Sequence, residues 1–237
     1  MIKQRPVPYT HHGTQLEGML VYDDSWQTAM PGVMVCHAWA GRGPREIEWA
    51  RCIAEEGYAA FAVDLYGKGV LGRSKEENMA LMTPFMEDRA LLQERLKVAL
   101  KACASQDIVD EKRIAAIGFC FGGLCVLDMA RSGADVVAVV SFHGLFTPPG
   151  NTEGNRIRAK VLALHGNDDP MVPHADVMAL ADELTAAGAD WQIHVYGRTM
   201  HAFTNPDAND PAFGTVYNEI ADRRARQALD NFLEELF

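Results

Sequence analysis

No run of apolar residues in this chain approaches the roughly 20 that a helix needs to cross a bilayer. Cysteine is scarce. The five present (Cys36, Cys52, Cys103, Cys120 and Cys125) are odd in number and show no C-x-x-C spacing, which argues against a disulfide framework and against a zinc site. Basic residues are outnumbered, 22 Lys and Arg against 32 Asp and Glu, for a formal charge of −10. Such a surface repels nucleic acid and anionic membrane, so neither is expected as a partner. The opening stretch from Met1 to Pro8 lacks the apolar core of a secretory signal, and with reduced thiols this predicts a cytoplasmic protein. The eight histidines include no H-E-x-x-H or comparable ligand spacing, so no metal is expected. Repeats, low-complexity tracts and linkers are also missing.

What the sequence does have is core. Of 237 residues, 48% are hydrophobic, enough for one domain over residues 1–237 that needs no staples. After a hairpin running through Gln15–Val21, near-continuous apolar runs recur at Gly32–His37, Tyr58–Asp64, Arg113–Gly118, Val136–Phe142, Lys160–His165 and Trp191–Tyr196. Runs of this kind suit strands buried on both faces of a parallel sheet. Helical patterns fall between them. Ser74 and Glu77 have the spacing of a capping box, Pro84 is expected to break that helix before a second one running to about Ala104, and His174–Ala187 should end on Gly188. The last helix should present Val216, Ile220, Leu229, Phe232, Leu233 and Leu236 on one side. The alternation predicts an α/β fold with a mostly parallel central sheet flanked by helices.

The strongest chemical signal is Gly118-Phe-Cys120-Phe-Gly122, which has the form of the nucleophile elbow G-x-S-x-G with cysteine for serine. A strand pattern enters it and a helical pattern leaves it, so the helix N-terminus favours negative charge on the sulfur of Cys120. A thiol nucleophile needs a base, and the base needs an orienting acid. In α/β-hydrolases these follow in the order nucleophile, acid, histidine. The acid should lie in Gly166-Asn-Asp-Asp-Pro-Met-Val-Pro173. Asp169 is favoured because it fits the G-x-x-D-P-x-V-P turn familiar in that fold, while Asp168 remains the alternative, its plain role being to cap a turn. His201 stands on the loop after the next strand.

These pieces, with Asp64-Leu-Tyr66 and His201-Ala-Phe203, resemble the dienelactone hydrolase family, an α/β-hydrolase branch whose nucleophile is typically cysteine. The resemblance extends over nearly the whole chain. It implies Cys120, Asp169 and His201 as a catalytic triad and the backbone N–H groups of Trp39 and Phe121 as the oxyanion hole. It implies no cofactor, and as partner a small-molecule ester or lactone, the protein acting as a monomer or homodimer. Two departures stand out. Ala38 occupies the place of the family's glutamate before the oxyanion-hole residue, and Asn205 that of its carboxylate-binding arginine, which predicts a less polar ester or lactone. The same thiol and oxyanion hole could accept a neutral phosphotriester, and a catalytically silent binding protein on this fold is a further alternative.

Other patterns have plainer readings. Gly67-Lys-Gly69-Val-Leu-Gly72 spells G-x-G-x-x-G, but no strand follows about 20 residues on to close a dinucleotide-binding unit, so a glycine-rich loop at the site's rim is expected. Trp39, Tyr66, Phe119, Phe121, Phe146 and Met200 could line an apolar pocket or pack the core. Met79, Met82 and Met86 should form a packed helix face.

Overall fold

The structure, a computed structural model, describes residues 1–237. The chain opens with β1 (Ile2–His11) and β2 (Thr14–Asp23), an antiparallel hairpin. Its two turn residues, His12 and Gly13, both have positive φ, as the tight turn that matches strand twist requires. Then β3 (Met30–Cys36), α1 (Pro44–Glu55) and β4 (Ala59–Ala62) follow, and α2 (Lys75–Glu87) and α3 (Arg89–Ala104) lead to β5 (Val109–Phe119). The second half comprises α4 (Phe121–Arg131), β6 (Ala138–Phe142), β7 (Lys160–Gly166), α5 (His174–Ala186), β8 (Trp191–Tyr196), the short pair β9 (Asn209–Asp210) and β10 (Thr215–Val216), and α6 (Glu219–Leu236).

Eight strands form one sheet in the order β1-β2-β4-β3-β5-β6-β7-β8, antiparallel as far as β4 and parallel from there to β8. The apolar runs of β3 to β7 are mostly buried because helices cover both faces, whereas β8, expected to be buried as well, is the edge strand of the sheet and has no buried residue. Trp49 and Ile53 of α1 join Leu229 and Phe232 of α6 on one side, while Leu92 and Leu96 of α3, Leu124 of α4 and Leu180 of α5 pack on the other. Charged side chains tie the second layer together. The Arg89 guanidinium forks onto the fully buried Asp128 at 2.8 and 2.7 Å, and Arg131 does the same to Glu183 at 2.8 and 2.7 Å, so α3, α4 and α5 are linked by bidentate ion pairs.

Three local expectations need correction. Pro84 lies inside α2, and the break comes four residues later at Asp88, whose carboxylate caps α3 by accepting the Leu91 N–H at 2.9 Å. Proline withholds a donor, but its own carbonyl still accepts the Asp88 N–H at 3.0 Å, so the helix completes its turn. Ser74 caps α2 as expected, but the Glu77 carboxylate reaches past it to the N–H of Arg73 at 2.8 Å. Val216 belongs to β10, and Ile220 is 54% exposed, because α6 turns its buried face at Ala221, Ala225 and Leu229 instead.

The order reverses at β3: the chain steps from β3 outward to β4, then returns to β5 on β3's other side. Loops diverging at such a reversal leave a crevice beyond the strands' C-terminal ends. Here β5 turns into α4 through Cys120, at φ 54° and ψ −114°. The turn closes only because its neighbours lack side chains. A Cβ on Gly118 would stand 2.0 Å from the Gly122 carbonyl oxygen, and one on Gly122 would stand 2.2 Å from that of Cys36. Gly122→Ala should therefore cost about 2–3 kcal/mol, the upper part of the range for overpacking. Gly197→Ala, with nothing within 4 Å of the new Cβ, should stay within about 0.5 kcal/mol of the parent. Urea unfolding midpoints of the two variants check this, and equal midpoints would contradict it.

Candidate active site

Cys120 sits at the N-terminus of α4, and its backbone N–H is anchored to the Phe142 carbonyl of β6 at 3.0 Å. Two strands away, β7 ends in the turn that carries Asp169, and the loop after β8 carries His201. The structure brings these last two into contact: His201 Nδ1 lies 2.7 Å from Asp169 Oδ2, with both side chains almost fully buried. The other carboxylate oxygen accepts the Met171 N–H at 2.8 Å. Asp168 is exposed and takes only the amide of its neighbour Asn167. Of the two aspartates the sequence offers, Asp169 is the one at the histidine.

The far nitrogen of His201, Nε2, is buried and has no hydrogen-bond partner, and the residue lines one cleft with Cys120. Burial works against a charge on this ring, but attraction to Cys120 and the bond to Asp169 outweigh it and raise the imidazole to about 10. The arrangement favours a protonated His201 beside the sulfur, with the ring's other proton fixed on Nδ1 by the carboxylate.

Across the cleft runs the loop after β3. The Trp39 N–H donates to no group of the protein, and Phe121 is the first residue of α4, where a backbone N–H has no intrahelical acceptor. Both expected oxyanion donors are thus unpaired. Gly72 N–H bonds to the Ala40 carbonyl at 2.9 Å, so the glycine-rich segment after β4 borders this loop, as a rim loop should.

The cleft has a volume of about 400 Å³, and its apolar wall includes Trp39, Met79, Met82, Leu145, Met171 and Phe213. Among the aromatic candidates, Trp39 and Phe119 line it, whereas Tyr66 and Phe121 pack in the core and Phe146 borders a separate cavity. Met79 and Met82 face the cleft too, so that methionine face is only partly a packing surface. The segment from Ala202 to Gly214 lines one side of the cleft. It is pinned at its base by backbone bonds between His201 and residues 214 and 216, and at its tip by Lys75, which pairs with Asp210 at 2.6 Å and lies over the Phe213 ring.

Sequence reasoning missed three polar residues of this cleft. Glu46, on the first turn of α1, is buried and accepts the Gly43 N–H at 2.8 Å; burial raises its pKa, against the pull of the surrounding backbone donors. It brings a carboxyl group to the cleft that Ala38 cannot supply. Arg45 reaches the other side, donating from Nη2 to the Thr204 carbonyl at 2.5 Å and from Nη1 to the Asn205 side chain. No carboxylate lies within 4.0 Å of it, in contrast to Lys75. His143, at φ 38° after β6, is buried with Nε2 2.9 Å from Thr204 Oγ1 and its ring edge-on to His201. None of these three has a local motif.

Away from the cleft, His11, His12 and Glu94 bring ligand-type atoms within 4.8 Å of one another. Arg95 Nε donates to His11 Nδ1 at 2.8 Å, which leaves the neutral ring's proton on Nε2. The lone pair a cation would need there is occupied.

With the geometry in view, three comparisons bear on the family. The model of the dienelactone hydrolase family matches residues 16–237. An uncharacterized protein of Caenorhabditis elegans is 38% identical over 152 residues, covering 62% of this chain and 94% of its own. Among solved structures, m3DLH superposes with a TM-score of 0.95 at 37% identity, covering 100% of this chain and 99% of its own. A dienelactone hydrolase-like promiscuous phosphotriesterase from metagenomic libraries gives the same TM-score at 35% identity and the same coverage. This chain has the α/β-hydrolase fold and belongs to the dienelactone hydrolase family.

Proposed function

We propose that the chain hydrolyses carboxylic esters or lactones through an acyl-enzyme on Cys120. The observation that carries this reading is the placement of His201, bonded to Asp169 through one ring nitrogen and unpartnered at the other, in the cleft it lines with Cys120. His201 takes the proton of Cys120, and the thiolate attacks the ester carbonyl. The N–H groups of Trp39 and Phe121 receive the oxyanion, and His201 returns the proton to the departing alcohol. A water molecule then gives a proton to His201, attacks the thioester and releases the acid. Asp169 keeps the Nδ1 proton in place and offsets the charge on the ring throughout. The five unpaired thiols suit a reducing compartment such as the cytoplasm, and small-molecule substrates alone are proposed as partners.

On Asn205 alone, the sequence favours a substrate without a remote carboxylate. Arg45 changes that reading. Its guanidinium bonds to the same Asn205 and has no carboxylate within 4.0 Å, so an ester or lactone carrying a negative charge at that end of the cleft could pair with it directly. A second chemistry is favoured by one comparison: the 35% identical relative is a promiscuous phosphotriesterase, and the same thiolate and N–H groups suit a neutral phosphotriester.

On a p-nitrophenyl ester, Cys120→Ala should abolish turnover, and Asp169→Asn should lower kcat by about 10⁴-fold, as for the buried aspartate of other triads. Asp168→Asn should stay within about threefold, since its side chain faces solvent. Running the same variants on an aryl phosphotriester asks whether one site serves both. Substantial ester turnover by Cys120→Ala would overturn the proposal.

The substrate charge is checked with a matched pair of esters that differ only in a remote carboxylate. Arg45→Met should lower kcat/KM for the charged ester by about tenfold or more, the value of about 1.5–3 kcal/mol for a charge-assisted hydrogen bond, and change the neutral one far less. Equal losses on both esters would return the neutral substrate to the head of the list.

A further inference from the structure

The loop that carries the Trp39 N–H is held by a histidine with an assigned proton. His37 is fully buried at the end of β3, and its Nδ1 lies 2.6 Å from the carbonyl oxygen of Ala38. A carbonyl can only accept, so Nδ1 carries the hydrogen. The ring's other nitrogen, Nε2, accepts the Leu65 N–H at 3.3 Å and therefore carries none. The two contacts define one neutral tautomer, and burial, which lowers this ring to about 4, keeps it neutral. The Gly41 N–H adds a second bond to the Ala38 carbonyl at 3.2 Å.

Ala38 C=O and Trp39 N–H belong to the same peptide unit. In a planar trans peptide they point in opposite directions, so fixing the carbonyl fixes the N–H. We propose that His37 is a positioning residue: through its Nδ1–H bond to Ala38 it turns the Ala38–Trp39 peptide so that the Trp39 N–H faces the oxyanion. The inference rests on Trp39 as an oxyanion donor in the proposed hydrolysis.

The surroundings keep the histidine in this role. Its ring meets that of Tyr66 edge-on at 4.6 Å, and the Tyr66 hydroxyl donates to the Trp39 carbonyl at 3.1 Å, pinning the following peptide. Asp64 Oδ1 in turn accepts the N–H groups of Tyr66 and Gly67 at 3.0 and 2.9 Å. The Asp64-Leu-Tyr66 segment thus acts as the support of the oxyanion loop, Leu65 holding the tautomer of His37 and Tyr66 holding the next carbonyl. Gly122 of the elbow lies directly beneath, where a Cβ would stand 2.7 Å from the His37 carbonyl oxygen.

Two substitutions separate the two ring nitrogens. The side-chain amide of asparagine overlies Nδ1 and can still donate to Ala38, while that of glutamine extends to Nε2 and can accept from Leu65 but leaves Ala38 without its donor. His37→Gln should lower kcat for ester hydrolysis by about 10²–10³-fold, the loss seen when one oxyanion donor is removed. KM should change by less than about threefold, and His37→Asn should recover at least about tenfold of the lost kcat. Alkylation of Cys120 by iodoacetamide forms no oxyanion, so its rate should remain near that of the parent in both variants. Parent-like kcat in His37→Gln, or alkylation falling in parallel with kcat, would overturn the inference. So would a Gln variant more active than the Asn one. A measurement on the unaltered protein guards against a folding defect: long-range ¹H–¹⁵N spectra at pH 7 should find His37 protonated on Nδ1 and bare on Nε2, and the opposite tautomer would also overturn it. If Cys120→Ala is inactive while His37→Gln turns over normally, this inference alone fails. If Cys120→Ala stays active, the hydrolytic reading fails with it.

Discussion

The site depends on a contact between backbones. Where β5 turns into α4, Gly122 rests against the carbonyl ends of β3, with no room for even a methyl group between them. That approach sets Cys120 at a positive φ on top of the sheet and brings the loop of Trp39 across from it. The loop of Trp39 and the start of α4 are brought close because their two strands, β3 and β5, are neighbours and their two backbones touch. The strain at Cys120 is tolerable because Phe142 and Gly123 bond its peptide groups on either side, at 3.0 and 2.9 Å.

Charge is distributed unevenly around this cleft. His201 and Asp169 form a buried couple on one wall, Lys75 is neutralised by Asp210 at the opening, and Glu46 is held by backbone donors. Arg45 hydrogen-bonds only to neutral acceptors, while the carboxylates of Glu46, Asp207 and Asp222 act on it from beyond contact distance. In a chain of net charge −10, such a cation acts locally, because salt screens the repulsion of the distant surface while the half-buried guanidinium is screened much less. Met79, Met82 and Met171 give the cleft an adaptable apolar lining.

The legible parts of the molecule were those with local causes. The five buried strands β3 to β7 and the edge strand β8 announced themselves as apolar runs, and the elbow as glycines spaced for a tight turn. Asp169 was separable from Asp168 by its turn, although only the structure gives the difference in burial. Arg45 was invisible because its meaning lies in Asn205, 160 residues away. Glu46 and His143 are single polar residues inside otherwise ordinary segments, and their place at the cleft comes from how α1 and β6 pack. Pro84 misled because a proline weakens a helix without having to end it, and the capping carboxylate of Asp88 decided where the break fell. The Ala202–Gly214 segment offered no periodicity at all, since it is shaped by the groups it bridges.

The most direct test of Cys120 as the nucleophile is mass spectrometry of the protein, acid-quenched at successive times through its first turnover of an activated ester. A peptide containing Cys120 should gain the mass of the acyl group as the alcohol is released and lose it as the acid forms. Full turnover with Cys120 unmodified at every time, or the acyl group on another side chain, would contradict the covalent role assigned to it.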